Sequence, residues 1–536
     1  MTTYDAVVVG AGPNGLVAAN HLVDAGWSVL VLEAQPEPGG AVRSSRDVHA
    51  DYVHDTFSSF YPLAAASPSI RALALEEHGL TWRHAPAVVG HHVPDRGWAV
   101  LDRDRELTAA SLDAFAAGDG EAWLELCAQW DKLGDHIVGA LLTPFPPVRR
   151  GLGALLRLPG AGGLGLVRDL LMPASDLVRL RFRGEGARLM LTGNAGHADI
   201  PMSAPGSGLF GILMTMLGQT VGFPVPEGGA GQLAAALTQR LRSRGGEVRC
   251  GAEVTRIEVD GRHVTAVRTA DGERIASPVV IADVVAPRLF GGLVQDEDLP
   301  TRVRQGMRGF QLDPGTVKVD WALSGPVPWR TPPDRAPGTV HVADSVDELS
   351  RTSEQITGRT VPDRPFLLVG QMTTTDPTRS PAGTESLWSY AHVPQVVERD
   401  AGDDGLTGRW DSAECERFAD RMQDRLERLA PGFGGRVVAR RVLGPRQFEE
   451  QDANLVGGAI NGGTAQLHQQ LVFRPVPGAG RAETGIRGLY LGSASAHPGG
   501  GVHGAPGMNA ARAALAHHRV RALGRIAGGG SAGEAS

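Results

Sequence analysis

Residues 4–34 read YDAVVVGAGPNGLVAANHLVDAGWSVLVLEA, and no other stretch of the 536-residue chain limits its fold so tightly. Ala6 to Val9 form a continuous apolar, β-branched run, the pattern of a parallel strand covered on both faces. Gly10, Gly12 and Gly15 follow, then Leu16, Ala19, Leu22 and Val23 supply a helical stripe that Gly26 ends. Ser28 to Leu32 predict a second strand closing on Glu33, so the segment is a βαβ unit. At its first turn, Gly10, Gly12, Pro13 and Asn14 let the backbone approach a pyrophosphate. Gly15 permits close helix packing, and the helix N-terminus offers free N–H groups and a partial positive charge. Glu33 is placed to accept a ribose 2′-hydroxyl, which disfavours a 2′-phosphate. A dinucleotide is therefore expected here.

The glycine spacing alone carries little weight. Glycine supplies 72 of 536 residues, about 13% against a usual ~7%, so a bare G-x-G-x-x-G arises by chance roughly once. The pattern begins five times, at Gly10, Gly160, Gly206, Gly499 and Gly528. Only the first lies between a β-branched strand and a helix with an acidic residue at the next strand end. The basic residues are almost all arginine, Lys132 and Lys318 excepted, which reads as the codon bias of a GC-rich genome. With 52 basic and 59 acidic residues, the charge gives no sign of a nucleic-acid binder. Cys127, Cys250 and Cys415 are far apart and form no CxxC, which argues against a disulfide framework, a dithiol centre or a cysteine-based metal site. His91-His92 and His517-His518 lack metal-ligand spacing, so no metal is expected. A reducing, cytoplasmic setting is expected, and the strand that starts within a few residues of Met1 leaves no room for a secretory signal.

Further along, residues from about 81 to 225 read mainly as helices. The uncharged stretch from Met202 to Pro226 is long enough to cross a bilayer, yet its glycines, prolines and acidic flanks make it a buried helix. Next come a glycine turn, an amphipathic helix and short strands joined at Asp260-Gly261 and Asp271-Gly272. Strands are expected again at Thr316 to Trp321, Pro365 to Gln371 and Gly488 to Gly492, the last followed by a glycine loop and an apolar helix from about Gly507 to Leu523. The fold class is α/β.

EAQPEPGGAVRS adds Gly39, Gly40 and Arg43 just past Glu33 and Ala34, and here the sequence resembles the FAD-binding superfamily of amine oxidases and phytoene desaturases. GLYLGSASAHPGGGVHGAPGMNAARAAL is similar to the C-terminal FAD motif of carotenoid desaturases and isomerases, and GFPVPEGGAGQLAAAL to a segment between the two. In detail the chain resembles the phytoene-desaturase-like group that includes the pyridine nucleotide-disulfide oxidoreductase domain-containing proteins. The resemblance implies a Rossmann-like, amine-oxidase-like FAD-binding domain assembled from residues 1–80, 226–294 and 441–525. It also implies a mixed α+β substrate domain at 81–225 and 295–440, with a disordered tail at 526–536. FAD is the implied cofactor, with Val254 placed at the adenine, and Gly492, Ser493, Gly500, Gly501, Val502, Gly507 and Met508 completing the site. Ser493 stands where many relatives carry an acidic residue. The helix starting near Gly507 would aim its positive end at the pyrimidine edge of a flavin.

The implied activity is FAD-dependent oxidation of a largely apolar substrate, a polyene, isoprenoid or other natural product, by hydride transfer to flavin N5. O₂, a quinone or another acceptor would take the electrons. An amine or amino-acid oxidase, a reduced-flavin isomerase and a non-catalytic flavin-binding interaction protein are the alternatives. An amine oxidase expects an aromatic cage, which five tyrosines in the chain make harder to build. His497 and His503 flank the glycine loop as catalytic candidates, with His54 and Asp55 behind them. The leucine- and arginine-bearing stretch 149–172 reads either as a lid packed on the substrate domain or as a surface helix dipping into a membrane interface.

Overall fold

A computed structural model describes residues 4–529. Residues 530–536, most of the expected disordered tail, lie outside the described residues.

Twelve strands build two large sheets. In chain order they are β1 (Ala6–Val9), β2 (Val29–Leu32), β3 (Ala87–Val93), β4 (Gly97–Leu101), β5 (Glu247–Arg249) and β6 (Val280–Ala282), then β7 (Gly315–Leu323), β8 (Pro337–Val342), β9 (Leu367–Gln371), β10 (Glu385–Val393), β11 (Val437–Leu443) and β12 (Leu489–Leu491). The helices that matter for the site are α1 (Pro13–Asp24), α2 (Asp119–Leu141), α3 (Val148–Arg157), α4 (Gly163–Leu171), α5 (Ser207–Thr220), α6 (Gly231–Ser243), α7 (Ser412–Leu429) and α8 (Ala505–Gly529).

The first sheet runs β12-β6-β1-β2-β5, with every neighbouring pair parallel. Its strands are buried along their whole length except in β5, because helices cover both faces and the apolar runs have no polar side to show. One face packs Val8, Val31 and Ile281 against α1, α6 and α8, whose small residues Ala18, Ala19, Ala234 and Ala510 let the layers approach. Since all five strands point the same way, residues following β1, β2, β6 and β12 emerge on one edge.

The second sheet runs β11-β7-β10-β9-β8-β3-β4 and is antiparallel except where β8 meets β3. Its back face is apolar: Val317, Val319, Trp321 and Val369 pack on Phe418 and Met422 of α7. Removing the fully buried Trp321 side chain would cost about 3–5 kcal/mol. The front face carries Thr316, Lys318 and Asp320 of β7 opposite His392, Tyr390 and Trp388 of β10, then Leu368 and Gly370 of β9, then His341 and Thr339 of β8. The polar–apolar alternation along each strand thus separates a core face from a cavity face.

The stretch 81–225 is mainly helical, as its sequence reads, with β3 and β4 added near its start. They form a hairpin whose turn holds Asp95 and Gly97 at positive φ, and the hairpin completes the second sheet. Met202 to Pro226 is centred on α5, buried within the protein. No helix among the described residues is long and apolar enough to cross a membrane.

Candidate active site

The edge where β1, β2, β6 and β12 end gathers three glycine turns. Gly10 has φ +95° and donates its N–H to the Leu32 carbonyl at 2.8 Å, bringing the ends of β1 and β2 together. A Cβ at Gly12 would lie 2.6 Å from Oδ2 of Asp283, and Gly15 donates its N–H to that oxygen at 2.8 Å. Asp283, the residue after β6, is therefore a carboxyl acceptor at the N-terminus of α1. Burial pushes its carboxyl up to about 7, with the nearby Asp452 and Glu33 carboxyls adding to the shift. Gly39 donates to the Ala11 carbonyl, and a Cβ at Gly40 would come within 3.1 Å of the Gly12 Cα, so the second glycine turn rests on the first.

Glu33 accepts from the Ala11 N–H at 2.7 Å and the Gln35 N–H at 2.9 Å, which leaves lone pairs on both oxygens. Burial raises its pKa. Ala34 is exposed beside it. Arg43 donates to the carbonyls of Gly40 and Gln451 and lies 5.5 Å over the Phe57 ring, which makes it a brace for the loop. Val254 is buried, and the chain before it is laced to β2 by the Ala252 N–H donating to the Glu33 carbonyl.

The third turn follows β12. Gly492 donates to the Ala282 carbonyl, and Ser493 accepts from the Ser495 N–H. A Cβ at Gly500 would overlap Asn461, and one at Gly507 would sit on the carbonyl oxygen of Asn14. The start of α8 thus lies directly against the start of α1, with Met508 buried between them.

These turns border one cavity of about 380 Å³. Gly12, Pro13, Asn14, Gly40, Ser493, Gly500, Gly501 and Val502 lie on its wall. Gly10, Gly15, Glu33, Ala34, Gly39, Arg43, Val254, Gly492, Gly507 and Met508 lie outside the lining. The cavity continues between α5, which presents Phe210, Leu213 and Met214, and the front face of the second sheet, which presents Thr316, Lys318, Thr339, Trp388 and Tyr390. Trp388 and Tyr390 stack with centroids 5.7 Å apart and planes at 14°. Gly370 makes this possible, since a Cβ there would fall inside the Trp388 indole.

The two histidine candidates part company. His503 borders the cavity, but its Nδ1 accepts from the Ala505 N–H at 3.1 Å at the start of α8, and burial lowers its pKa to about 4. His497 turns away, its Nε2 lying 3.0 Å from the Thr143 carbonyl, and does not reach the wall. His54 and Asp55 are buried in the joint between the sheets, His54 against the Trp321 carbonyl and Asp55 in an ion pair with Arg379. The wall holds groups that sequence reasoning missed: Asp283, Asp452, His197, Lys318, Trp388 and Tyr390. For Asp283 a signal existed, since it ends a strand-like run VVIAD, and the carboxyl ends of parallel strands are where such sheets bind ligands. Lys318, buried and the only lysine on the wall, is paired with Asp320 and donates to the Asp55 carbonyl.

The cradle suits a dinucleotide on two structural grounds: Cβ atoms have no room along its floor, and the buried Oδ1 of Asn14 has no partner in the protein. The family model for an NAD(P)-binding Rossmann-like domain matches residues 8–75, spanning the first two turns. Over 95% of its length the chain is 27% identical to pyridine nucleotide-disulfide oxidoreductase domain-containing protein 2 of Mus musculus, covering 92% of that protein. It is 24% identical over 93% of its length to the neurosporene-forming phytoene desaturase of Rhodobacter capsulatus, covering 91% of it. The chain is a homologue of these proteins. An oxidoreductase from Methanosarcina mazei has the same fold, with a TM-score of 0.62 at 16% identity over 95% of this chain and 99% of that one. The chain is a flavin-dependent oxidoreductase.

Proposed function

We propose that the chain binds FAD across its three glycine turns and oxidises a largely apolar substrate by hydride transfer to the flavin. The observation that carries this reading is the continuity of one cavity, from the Gly12–Asn14 turn past Gly500 and Gly501 into a chamber walled by Phe210, Leu213, Met214 and Trp388. FAD, when bound, supplies a two-electron acceptor at N5. The protein's share is to bind, orient and keep water out. The N-terminus of α1 would hold the diphosphate, Glu33 would accept from the adenosine ribose, and the backbone ahead of α8 would stabilise the pyrimidine edge of the ring. The apolar chamber excludes water from the reacting carbon. An amino-acid oxidase would need an arginine for the substrate carboxylate, and no arginine lies on the wall. The test is anaerobic titration of the yellow holoprotein with lipophilic candidates. Substrate is expected to bleach the oxidised-flavin band, and a flavin that no reductant of this class bleaches contradicts the reading.

Asp283 gives the cofactor site a pH dependence. With its carboxyl raised to about 7, the group is neutral below that pH and ionised above it, where it repels the diphosphate. FAD affinity is expected to fall several-fold between roughly pH 6 and pH 8. Asp283→Asn keeps an acceptor for the Gly15 N–H and should flatten the profile in a fluorescence titration of FAD. The same shift acts on stability: the unfolded carboxyl ionises first, so this group weakens the fold as pH rises from about 4 to about 7 and has no further effect above that.

The segment 149–172 belongs to this reading as an attachment to a membrane surface. Leu152, Leu155, Leu156 and Leu164 are between 56% and 82% exposed, and α3 buries none of its residues. Arg149, Arg150 and Arg157 accompany them, and no acidic residue occurs from Val148 to Arg168. Leu141 and Leu142, at the end of α2, reach the cavity wall just before α3 begins. An anionic bilayer suits such a face. Changing Leu152, Leu155 and Leu156 together to Gln should reduce co-sedimentation with phosphatidylglycerol-containing vesicles several-fold. Equal recovery of both proteins would end the idea.

A further inference from the structure

The front face of the second sheet has hydroxyl groups with nothing to bond to. Thr339 is 1% exposed and lies on the cavity wall, yet its Oγ1 has no hydrogen-bond partner among the described residues. Tyr390, also on the wall, makes no hydrogen bond through its hydroxyl to any described residue. Strand register relates the two. Thr339 lies opposite Gly370, and Tyr390 opposite Leu368, two residues back along β9 on the same face. The missing side chain at Gly370 is filled by the Trp388 indole, on which Tyr390 stacks. His197 borders the same cavity, packs on His341 beside Thr339 on β8, and commits only Nε2, at 3.1 Å to Nε2 of His341.

These groups are neutral. Burial lowers His197 to about 4 and raises Tyr390 far above neutrality. Lys318, the cation on this wall, is already paired with Asp320. Asp199, the carboxylate near Tyr390, is held by His392, and Asp283 and Asp452 lie at the glycine-turn end of the cavity, so an ammonium or carboxylate brought to Tyr390 and Thr339 would meet no unpaired counter-charge. A pure hydrocarbon would leave the Thr339 and Tyr390 hydroxyls without a partner, which is the costly way to bury a hydroxyl.

We propose that the substrate is an amphiphile whose apolar body ends in one neutral oxygen function, a hydroxyl or carbonyl, seated against Tyr390, Thr339 and His197. The inference rests on reading the cavity as the substrate chamber, and its test reads binding, so a failure to find turnover does not decide it. Headspace gas chromatography over the FAD-loaded protein gives dissociation constants for octane, 1-octanol and octylamine. The quantity of interest is the ratio of the octanol constant to the octane constant. That ratio should rise at least tenfold from wild type to the Thr339→Val/Tyr390→Phe double variant, because octanol loses its partners while octane meets a drier wall. The corresponding octylamine-to-octane ratio should move far less. An unchanged octanol ratio, or an amine ratio that moves as far, overturns the proposal. A second readout needs no variant: the infrared carbonyl stretch of ¹³C-labelled 2-octanone bound to wild type. A shift below its frequency in alkane is expected, and the alkane frequency itself overturns the proposal.

Discussion

Gly507→Ala is expected to give a protein that holds no FAD and unfolds at markedly lower denaturant. The added methyl would sit on the Asn14 carbonyl oxygen, a backbone atom in the first turn of α1. Neither side can rotate away. Relief requires α8 to move off α1, and that movement opens the junction between the first and third glycine turns. Overpacking a close-packed contact costs about 1–3 kcal/mol, and a backbone-on-backbone clash belongs at the upper end or beyond. Flavin content of the purified variant, with urea unfolding of its apo form, separates the two effects. Wild-type flavin content and an unchanged midpoint would mean that α1 and α8 do not meet as described.

Arg379→Leu is the second large effect, and it lies outside the cavity. Arg379 is fully buried, donating to Asp55 at 3.0 Å, to Asp376 at 2.9 Å and to the Pro226 carbonyl at 3.3 Å. Its two carboxylate partners grip the chain that supports the cofactor. Asp55 accepts from Ser44 and from the Ala230 N–H, and Asp376 accepts from the Gly228 N–H. Leucine would leave two buried carboxylates without a counter-ion, a loss of about 3–5 kcal/mol. Adding Asp55→Asn removes one stranded charge and should recover part of the loss. A fully additive double variant, or a single variant as stable as wild type, would contradict the clamp.

The legible parts of the molecule were those where local pattern and chemistry coincide. The segment from Tyr4 to Glu33 declares a strand, a turn, a helix and a strand in one reading, and the structure builds them as β1, α1 and β2. Likewise GTVKVDWAL announces a strand, observed as β7. Its alternation of Val, Val and Trp with Thr, Lys and Asp also separates a core face from a polar face. What lies over the polar face depends on β8 to β10 and on α5, which arrive from distant parts of the chain. The hairpin of β3 and β4 was obscured by its turn, whose two positive-φ residues, Asp95 and Gly97, are separated by Arg96 and so give no Asp-Gly pair to read. His497 shows the limit of proximity in sequence, for it adjoins the glycine loop yet spends its ring nitrogen on a carbonyl more than three hundred residues earlier. Asp283 needed tertiary knowledge, since only the pairing of β6 with β1 brings its carboxylate to the start of α1.

The hold of three chain-distant glycine turns on one FAD is what the proposed function requires first. Its most direct test is the identity and amount of nucleotide released by denaturing the purified protein after incubation with excess FAD, resolved by chromatography. A yellow protein that releases one FAD per chain, with no nicotinamide nucleotide, is expected. A colourless protein that retains no FAD, or one that carries a nicotinamide dinucleotide in its place, would contradict it.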